Sequence, residues 1–452
     1  MEGTFRRIKW AAMAIFLGIY YLTPWIRWDR GPDAPHQAVL LDFPARRFYF
    51  FFIEIWPQEV YYITGLLILA AVGLFLATSI AGRLWCGYAC PQTVWTDLFI
   101  AVERFFEGDR NERIRLDQAP WSLSKISRKT AKHLTWIVIA MATGGAWVFY
   151  FADAPTLAHQ LLTFDAPAIA YTTIATMTAT TYLLGGHARE QVCTYMCPWP
   201  RIQGAMLDEE SLAVSYRYDR GEPRGPHKKG EPWEGRGDCI DCRQCVVVCP
   251  MGIDIRDGLQ LECIQCALCI DACDDIMTKI GRPKRLIAYD TDSNIQARMK
   301  GEKPRYRLVR PRTVIYTAIL VVVSLIMVIG LMTRSVIDLN VIRDRNPLYV
   351  MLSDGSIRNG YTLKIINKLH EPARFAISVE GLPQASARLL GFDDMSEPVE
   401  VAPDALRSVR LFVTAPRAAL TEKSIPIVIR VRDLDSGTEV VNDTTFKAPI
   451  DE

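Results

Sequence analysis

The twelve cysteines of this 452-residue chain fall into four groups, and none stands outside a group. Two groups are pairs with the pattern Cys-x-x-x-Cys-Pro, and two are quartets spaced Cys-x-x-Cys-x-x-Cys-x-x-x-Cys. Disulfide frameworks are typical of small secreted domains, so clustered cysteines in a chain of this length favour metal binding. The groups are Cys86 and Cys90; Cys193 and Cys197; Cys239, Cys242, Cys245 and Cys249; and Cys263, Cys266, Cys269 and Cys273.

Each quartet has the spacing with which bacterial ferredoxins hold a 4Fe–4S cluster. Two residues between cysteines let a tight loop present three thiolates to one cluster, and the fourth cysteine of each run reaches the other cluster. Pro250 closes the first run and Asp274 takes its place in the second, but proline is not a ligand. The pattern predicts two 4Fe–4S clusters, the first held by Cys239, Cys242, Cys245 and Cys273 and the second by Cys249, Cys263, Cys266 and Cys269.

Zinc is the alternative cofactor for the two quartets. Structural zinc sites usually join two Cys-x-x-Cys pairs that are separated by a longer stretch of chain. The uninterrupted runs of four cysteines therefore favour iron–sulfur clusters over zinc.

The paired cysteines come just after the second and fourth long apolar segments. The i, i+4 spacing would place both thiols of a pair on one helix face if the helix continued, and the proline would then end it. Two pairs at one depth can converge into a site of four thiolates, which suits Cu(I) or zinc, with Met196 and His187 as further candidate ligands. The alternative is that Cys86, Cys90, Cys193 and Cys197 are buried free thiols.

Other chemistry finds no support in the sequence. There is no glycine-rich phosphate loop, no dinucleotide-binding motif and no Cys-x-x-Cys-His haem attachment site. The net charge is +2 and the basic residues lie mostly beside apolar segments, so no nucleic-acid partner is expected.

Five apolar segments are long enough to cross a membrane. Basic residues near their ends set the orientation: the loop at 81–133 holds nine Lys or Arg, and the loop at 153–166 holds none. We therefore expect a cytoplasmic N-terminus and cysteines that all face the cytoplasm. The aromatic run at 48–56 is too short to span and is expected to lie at the membrane interface. The five predicted spans are 10–28, 60–80, 134–152, 167–185 and 314–333.

The chain thus reads as a mixed membrane protein with four parts. A polar stretch at 208–237 is expected to be a linker or loop into the cysteine-rich core at 238–275. After the last span, short alternating runs separated by Gly, Pro, Asn and Asp predict an antiparallel immunoglobulin-like β-sandwich outside the cytoplasm. The predicted parts are 1–207, four transmembrane helices with both paired motifs; 208–312, a cytoplasmic ferredoxin-like module; 313–334, the fifth transmembrane helix; and 335–452, the periplasmic sandwich.

This order of motifs resembles the FixG/CcoG/RdxA family of cytochrome c oxidase accessory proteins. The stretches that bear the resemblance, besides the cysteine motifs, are 197–203, 254–263, 344–349 and 354–368. The resemblance implies a role in building the copper-containing cbb3-type oxidase of a bacterial inner membrane, through reduction of Cu(II) to Cu(I). It implies that Cys86, Cys90, Cys193 and Cys197 are the catalytic cysteines that bind copper.

The expected partners are a cytoplasmic electron donor, the copper ion, and either oxidase subunits or copper-handling proteins. Two other functions stay open. One is a quinone-linked electron conduit, since Cys-x-x-x-Cys-Pro pairs beside ferredoxin runs also resemble membrane subunits of anaerobic reductases. The other is a non-enzymatic assembly factor whose clusters sense the redox state.

Overall fold

The structure is a computed structural model that describes residues 2–31, 34–228 and 230–449. Its contacts divide the chain into two compact units. The first comprises Met1–Arg27 and Gln37–Val328, and the second comprises Trp28–His36 and Ile329–Glu452. All twelve cysteines belong to the first unit.

The first unit is mainly helical and also holds two small sheets. The apolar segments of the sequence lie on α1, α2, α5, α7 and α13, and shorter helices connect them. The helices are α1 Thr4–Leu22, α2 Tyr61–Ala81, α3 Pro91–Glu107, α4 Arg110–Gln118, α5 Leu123–Val148, α6 Ala154–Thr163, α7 Ala168–Thr181, α8 Trp199–Met206, α9 Tyr218–Gly221, α10 Gln244–Val247, α11 Leu268–Lys279, α12 Asp292–Met299 and α13 Pro311–Met332.

Within the described residues, two helices are long and apolar enough to cross a membrane, Pro57–Ala81 and Pro311–Met332. The remaining predicted spans coincide with α1, α5 and α7, which are shorter or carry more charge along their length. The helix α7 is extended by a π-helical segment, Tyr182–Ala188. The count of five spans therefore stays a prediction.

Helix α3 is a feature that the sequence did not predict. It packs against α5, where the rings of Phe99 and Trp136 stack at 5.3 Å and the Trp136 indole N–H donates to the Phe99 carbonyl oxygen at 3.0 Å. Near the end of α3, Glu107 forms a buried ion pair with Lys132 at 2.8 Å, and Glu103 accepts from Arg189 at 3.1 Å. These contacts hold α3 beside the two helices that lead to the second cysteine pair.

The aromatic run at 48–56 forms two short strands, and its expected position at the membrane interface stays a prediction. The chain turns at Phe51 and Phe52, so the residues on either side of this turn can pair as a hairpin. The three-stranded antiparallel sheet has the order β1–β2–β3, with β1 Val39–Asp42, β2 Arg47–Phe50 and β3 Ile53–Ile55.

The ferredoxin-like module is closed by a two-stranded antiparallel sheet of β4 Ala213–Tyr216 and β5 Ile287–Asp290. The two cysteine runs, with α10 and α11, lie between these strands in sequence. The expectation of a plain linker at 208–237 was therefore wrong in part. The residues of β4 are too few to show a period, but their side chains are mostly buried against the cysteine loops.

The second unit is a sandwich of two antiparallel sheets, as the sequence predicted. Alternating residues of β8 and β13 face a core that contains Tyr361, Phe375 and Phe446. One sheet has the order β10–β12–β8–β6, with β7 paired to β8, and the other has the order β11–β9–β13–β14. The strands are β6 Ile337–Arg343, β7 Val350–Met351, β8 Ile357–Asn367, β9 Ala373–Glu380, β10 Ser386–Leu389, β11 Val399–Val401, β12 Ala405–Ala415, β13 Ser424–Asp433 and β14 Glu439–Lys447.

Candidate iron–sulfur and paired-cysteine site

The eight quartet cysteines line two cavities in the ferredoxin-like module, each of about 360 Å³. Each cavity is lined by three cysteines of one run and by the fourth cysteine of the other run, as the ferredoxin pattern requires. Cys245, which lines the first cavity, also borders the second. All these cysteines are free thiols. The first cavity is lined by Cys239, Cys242, Cys245 and Cys273, and the second by Cys249, Cys263, Cys266 and Cys269.

The two loops repeat one backbone conformation. The residues on either side of the second cysteine of each run are left-handed: Asp241 and Arg243 at φ 54° and 56°, and Gln265 and Ala267 at φ 55° and 62°. Each such residue costs about 1–2 kcal/mol when it is not glycine. Backbone of this kind persists where the surroundings determine it, and it is common at ligand-binding loops.

The walls of the second cavity suit a cluster that is bound through sulfur. Beside the cysteines they are mainly apolar, with Val214, Ile253 and Ile255 among them, so oxygen-ligated metals would find few ligands. The backbone amides of Gln265 and Leu268 lie near the Cys263 and Cys266 sulfurs and lower the pKa of these thiols, against the effect of burial. Hydrogen bonds from backbone amides stabilise thiolates and tune iron–sulfur clusters.

Burial is the main electrostatic influence on these thiols. It raises the pKa of Cys263 and of Cys273 to about 12, and that of Cys269 well above its usual value. Without a cationic metal centre the buried sulfurs would therefore be neutral at physiological pH. A cluster supplies the positive charge that makes four buried thiolates tolerable, so the donor set and its burial fit the predicted cofactor.

The first Cys-x-x-x-Cys-Pro motif begins where α2 ends. Gly82 is left-handed at φ 64°, and a Cβ atom there would lie 2.1 Å from the Gln265 side-chain oxygen. The chain then forms a π-helical turn at Trp85–Ala89, in which the N–H of Cys90 donates to the Trp85 carbonyl oxygen at 2.8 Å. The helix does not continue through the pair, because Gly82 ends α2, and Pro91 begins α3 instead of stopping a helix.

The second motif repeats this local structure. A π-helical turn at Val192–Met196 precedes Cys197, whose N–H donates to the Val192 carbonyl oxygen, also at 2.8 Å. Helix α8 starts just after the proline at 198. The sequence repeat is therefore a structural repeat, with the same hydrogen bond closing both turns.

The four thiols of the pairs lie near one another. Burial raises the pKa of Cys86 to about 12, and the nearby Cys90, Cys193 and Cys197 add to this shift, whereas Arg83 opposes it. Burial also raises the pKa of Cys193 to about 11, with further contributions from Cys90 and Cys197. The two pairs thus lie in one region, but among the described residues no three of their sulfurs all lie within 4.8 Å of one another, and their role as metal ligands stays a prediction.

A buried amide holds the Cys86 thiol. The Cys86 sulfur donates to the Gln203 side-chain oxygen at 3.0 Å, and the Gln203 amide nitrogen donates to the Thr78 hydroxyl at 3.1 Å. The Thr93 hydroxyl donates to the Cys86 carbonyl oxygen at 2.7 Å. Gln203 lies on α8, so one side chain joins the turn of the first pair to the helix after the second pair.

The turn of the first pair packs directly on the second cysteine run. A Cβ atom at Gly87 would lie 2.9 Å from the Ile264 carbonyl oxygen and 3.2 Å from the Cys266 Cα. Only glycine permits this approach without displacement of the backbone. Cys86 also belongs to a buried cluster with Ile264, Cys266 and Leu268.

A small cavity separates the second pair from the same run. It is lined by Cys193 on one side and by Pro250, Met251 and Ile264 on the other. Both cysteine pairs therefore face the loops that surround the second cavity. No residue of either Cys-x-x-x-Cys-Pro motif lines the first cavity in the part of the chain that the structure describes.

The further candidate ligands have other surroundings. The imidazole of His187 stacks on that of His133 at 5.9 Å, and the Tyr182 hydroxyl lies 3.0 Å from His133 Nδ1. The Met196 side chain is largely exposed. Gly87 and Gln203 were not expected from the sequence, and Arg83 counted only as one of the basic residues that set the membrane orientation. The one available signal was the glycine directly after a cysteine.

Three family models match the chain, and together they include all twelve cysteines. A "4Fe-4S dicluster domain" matches residues 188–292 and a "4Fe-4S binding domain" matches residues 63–107. An "IG-like fold at C-terminal of FixG" matches residues 327–449. The sequence therefore contains 4Fe–4S domains and an immunoglobulin-like domain.

Curated relatives match the chain over nearly its whole length. The nitrogen fixation protein FixG of Rhizobium meliloti is 52% identical over 99% of this chain and 91% of its own length. Protein RdxB of Cereibacter sphaeroides is 54% identical over 99% of this chain and 94% of its own length. Among solved structures, a FixG-related protein from Vibrio parahaemolyticus is 22% identical and covers 26% of this chain and 99% of its own, with a TM-score of 0.23.

Proposed function

Because the chain belongs to the FixG/RdxA/RdxB family, we propose that it transfers electrons from a cytoplasmic donor, by way of two 4Fe–4S clusters, to a metal ion at the paired cysteines. When bound, the clusters supply one electron at a time at potentials that can lie well below zero. The proposed substrate is Cu(II), which gains one electron and becomes Cu(I). The proposed cluster ligands are those predicted from the spacing, and Cys86, Cys90, Cys193 and Cys197 are proposed for copper, as the family resemblance implies.

The observation that supports this proposal best is the packing of the first pair on the second cysteine run. Gly87 lies against the backbone of Ile264 and Cys266, and Cys86 shares a buried cluster with Cys266. An acceptor held at Cys86 would lie close to the loop of Ile264 and Cys266, which lines the second cavity. Electron transfer needs this proximity, and a structural role for the thiols does not.

The residues of the paired site have separable roles. The four sulfurs favour Cu(I) over Cu(II), because thiolates are soft ligands. Gln203 and Thr93 orient Cys86, and the apolar packing around Cys86 keeps water from its sulfur. The match of residues 63–107 to a 4Fe–4S binding domain also allows iron–sulfur ligation at the first pair, so metal analysis must decide between copper and iron.

The direct test is purification of the full chain without oxygen, followed by analysis of iron, sulfide and copper and by a Cu(II) reduction assay with a chemical donor. A variant with all four paired cysteines changed to serine is expected to lose copper and Cu(II) reduction while it keeps its iron. A variant with Cys266→Ser is expected to lose reduction but keep copper. Cu(II) reduction at the normal rate by the quadruple variant would contradict the proposal.

A quinone-linked conduit is the second candidate, and one cavity favours it. This cavity, of about 470 Å³, lies among α3, α5 and α7 next to Pro91, the residue after Cys90. Trp95, Thr143 and Thr180 line it, so a ring with polar edges could lie there. Reduction of a quinone by the quadruple serine variant would favour this function over copper reduction.

We further propose that the protein lies in a bacterial inner membrane, with its N-terminus and clusters in the cytoplasm and its sandwich in the periplasm. The two long apolar helices support a place in the membrane, and the orientation rests on the basic loops and the five predicted spans. The sandwich would then bind oxidase subunits or copper-handling proteins during assembly of a cbb3-type oxidase. Normal oxidase assembly in cells whose eight quartet cysteines are changed to serine would instead favour a non-enzymatic assembly factor.

A further inference from the structure

Arg83 is a buried cation at the junction of the paired site and the second cysteine run. It follows Gly82 directly, and only 2% of its surface is exposed. Its guanidinium donates to the carbonyl oxygens of Cys263 at 3.2 Å and Pro200 at 2.6 Å, and also to that of Leu261. The side chain therefore contacts the end of α2, the second run and the segment after Cys197 at once.

The charge of Arg83 has no carboxylate partner. Its hydrogen-bond acceptors are neutral carbonyl oxygens, and among the described residues no carboxylate lies within ion-pair distance of the guanidinium. Its Nε–H is buried without an acceptor. The Glu262 carboxylate is close enough to stabilise the Arg83 charge in part, but it forms no ion pair with the guanidinium. A buried cation is costly unless an opposite charge compensates it, so the site favours a further negative group.

Other buried cations near the cysteine runs do have carboxylate partners. Lys9 and Arg6 share Asp97, at 3.6 Å and 2.9 Å. Arg256, which lines the first cavity, donates through Nε to Asp254 at 2.8 Å and also binds Asp241. The cation beside the first cavity is therefore already neutralised, and the cation beside the second cavity is not.

A 4Fe–4S cluster held by four thiolates is a net anion, and it becomes more negative when it is reduced. A nearby cation favours the more negative state, and the effect is large where water is excluded. An unpaired cation therefore raises the reduction potential of the cluster beside it, and a paired cation has much less effect.

We propose that Arg83 is the counter-cation of the cluster held by Cys249, Cys263, Cys266 and Cys269, and that it keeps the reduction potential of this cluster above that of the other. This inference rests on the proposed ligand sets and deepens the proposed function. It makes the cluster next to Cys86 the favoured position for the electron. Arg83 is thus a positioning residue that acts through the cluster's potential.

The test is a redox titration of the full-length protein, purified without oxygen and free of copper, with each cluster followed by electron paramagnetic resonance. Arg83→Gln and Arg83→Met are expected to lower the potential of one cluster and leave the other unchanged. Arg83→Lys keeps the charge and is expected to restore most of the potential. Cys242→Ser, which alters the first cluster, identifies which signal belongs to which cluster.

Two results would overturn the proposal. One is an unchanged pair of potentials in a fully iron-loaded Arg83→Gln variant. The other is an Arg83→Lys variant that behaves like Arg83→Met, because the residue would then act through its hydrogen bonds rather than its charge. If Arg83→Met and Arg83→Gln lose the second cluster while Arg83→Lys retains it, the counter-cation role is supported. None of these readouts depends on copper, so a failure of the proposed copper reduction can be distinguished from a failure of the counter-cation proposal.

Discussion

The hydroxyl oxygen of Tyr88 lies 3.1 Å from the carbonyl oxygen of Cys266, to which it donates a hydrogen bond. Tyr88 stands between Cys86 and Cys90 in the first paired motif, and Cys266 belongs to the second cysteine run. Burial raises the pKa of Tyr88 to about 12, so the phenol keeps its proton at physiological pH. Its hydrogen bond therefore joins the paired site to the predicted cluster loop whatever the pH of the cell.

The close approach at Gly87 predicts a sensitive position for electron transfer. We expect Gly87→Ala to push the turn away from Ile264 and to lower the rate of Cu(II) reduction several-fold, because electron transfer slows as the distance between donor and acceptor grows. Iron content should be unchanged, because Gly87 is not a ligand. The measurement is the rate of Cu(II) reduction per iron.

Gly73→Ala is the matched control for this substitution. Gly73 lies on α2, and a Cβ atom there would meet nothing within 4 Å. Reduction should proceed at the normal rate in this variant. Equal rates in the two alanine variants would show that the contact at Gly87 is not part of the electron path.

The exchange of fourth cysteines predicts which cluster a substitution damages. We expect about eight iron and eight sulfide per chain, and a loss of about half the iron in Cys249→Ser. The signal lost should be the one that also disappears in Cys263→Ser, because Cys249 lines the cavity of the other run. Loss of the same signal as in Cys239→Ser would contradict the crossed arrangement. About twelve iron per chain would mean that the paired cysteines hold a cluster and not copper.

The basic loops predict opposite locations for the two ends of α13. A reporter fused near residue 225 should behave as cytoplasmic, and one fused after residue 340 should be active only outside the cytoplasm. Each fusion is made with two reporter enzymes, one active only in the cytoplasm and one active only outside it, and both activities are measured. The same location for both fusions would rule out the predicted topology and the compartment assigned to the thiols.

The sandwich core predicts a large difference between two isoleucines of the same unit. Ile429 is fully buried on β13, and Ile342 is 49% exposed on β6. Ile429→Ala should lower the free energy of unfolding by about 2–5 kcal/mol, because it leaves a cavity in the core. Ile342→Ala should change it by about 0.5 kcal/mol or less. Chemical denaturation followed by the circular dichroism of the β-sheets measures both, and equal effects would contradict the described core.

The sequence is most informative where chemistry or alternation fixes the spacing of residues. The ferredoxin runs have a rigid pattern of cysteines, so the grouping of Cys273 with the first run and of Cys249 with the second follows from the order of residues alone. The long strands β8, β12 and β13 alternate buried and exposed residues over many positions, which makes their pattern readable. Such signals are local in the chain and do not depend on distant contacts.

The features that sequence reasoning missed depend on partners far along the chain. Gly82 interrupts an apolar helix because Gln265 lies against it, and nothing near Gly82 in sequence announces that contact. Arg83 looked like a basic residue at a membrane boundary, but the carbonyl groups of the second run bury it. Pro91 looked like a helix stop, although proline is equally suited to the first turn of a helix. The strand β4 was too short to show any period.

The start of α1 is capped by a residue that is synthesised much later. The backbone N–H groups of Phe5 and Arg6, at the start of α1, donate to the carboxylate of Asp271 on α11, at 3.2 Å and 2.8 Å. These partners are separated by 266 and 265 positions in sequence. At about 5–20 residues per second, the ribosome needs roughly 10–50 s to reach Asp271 after it has made α1. During this interval α1 lacks the acid that caps it, so the start of the first helix can be fixed only after the ferredoxin-like module has been synthesised.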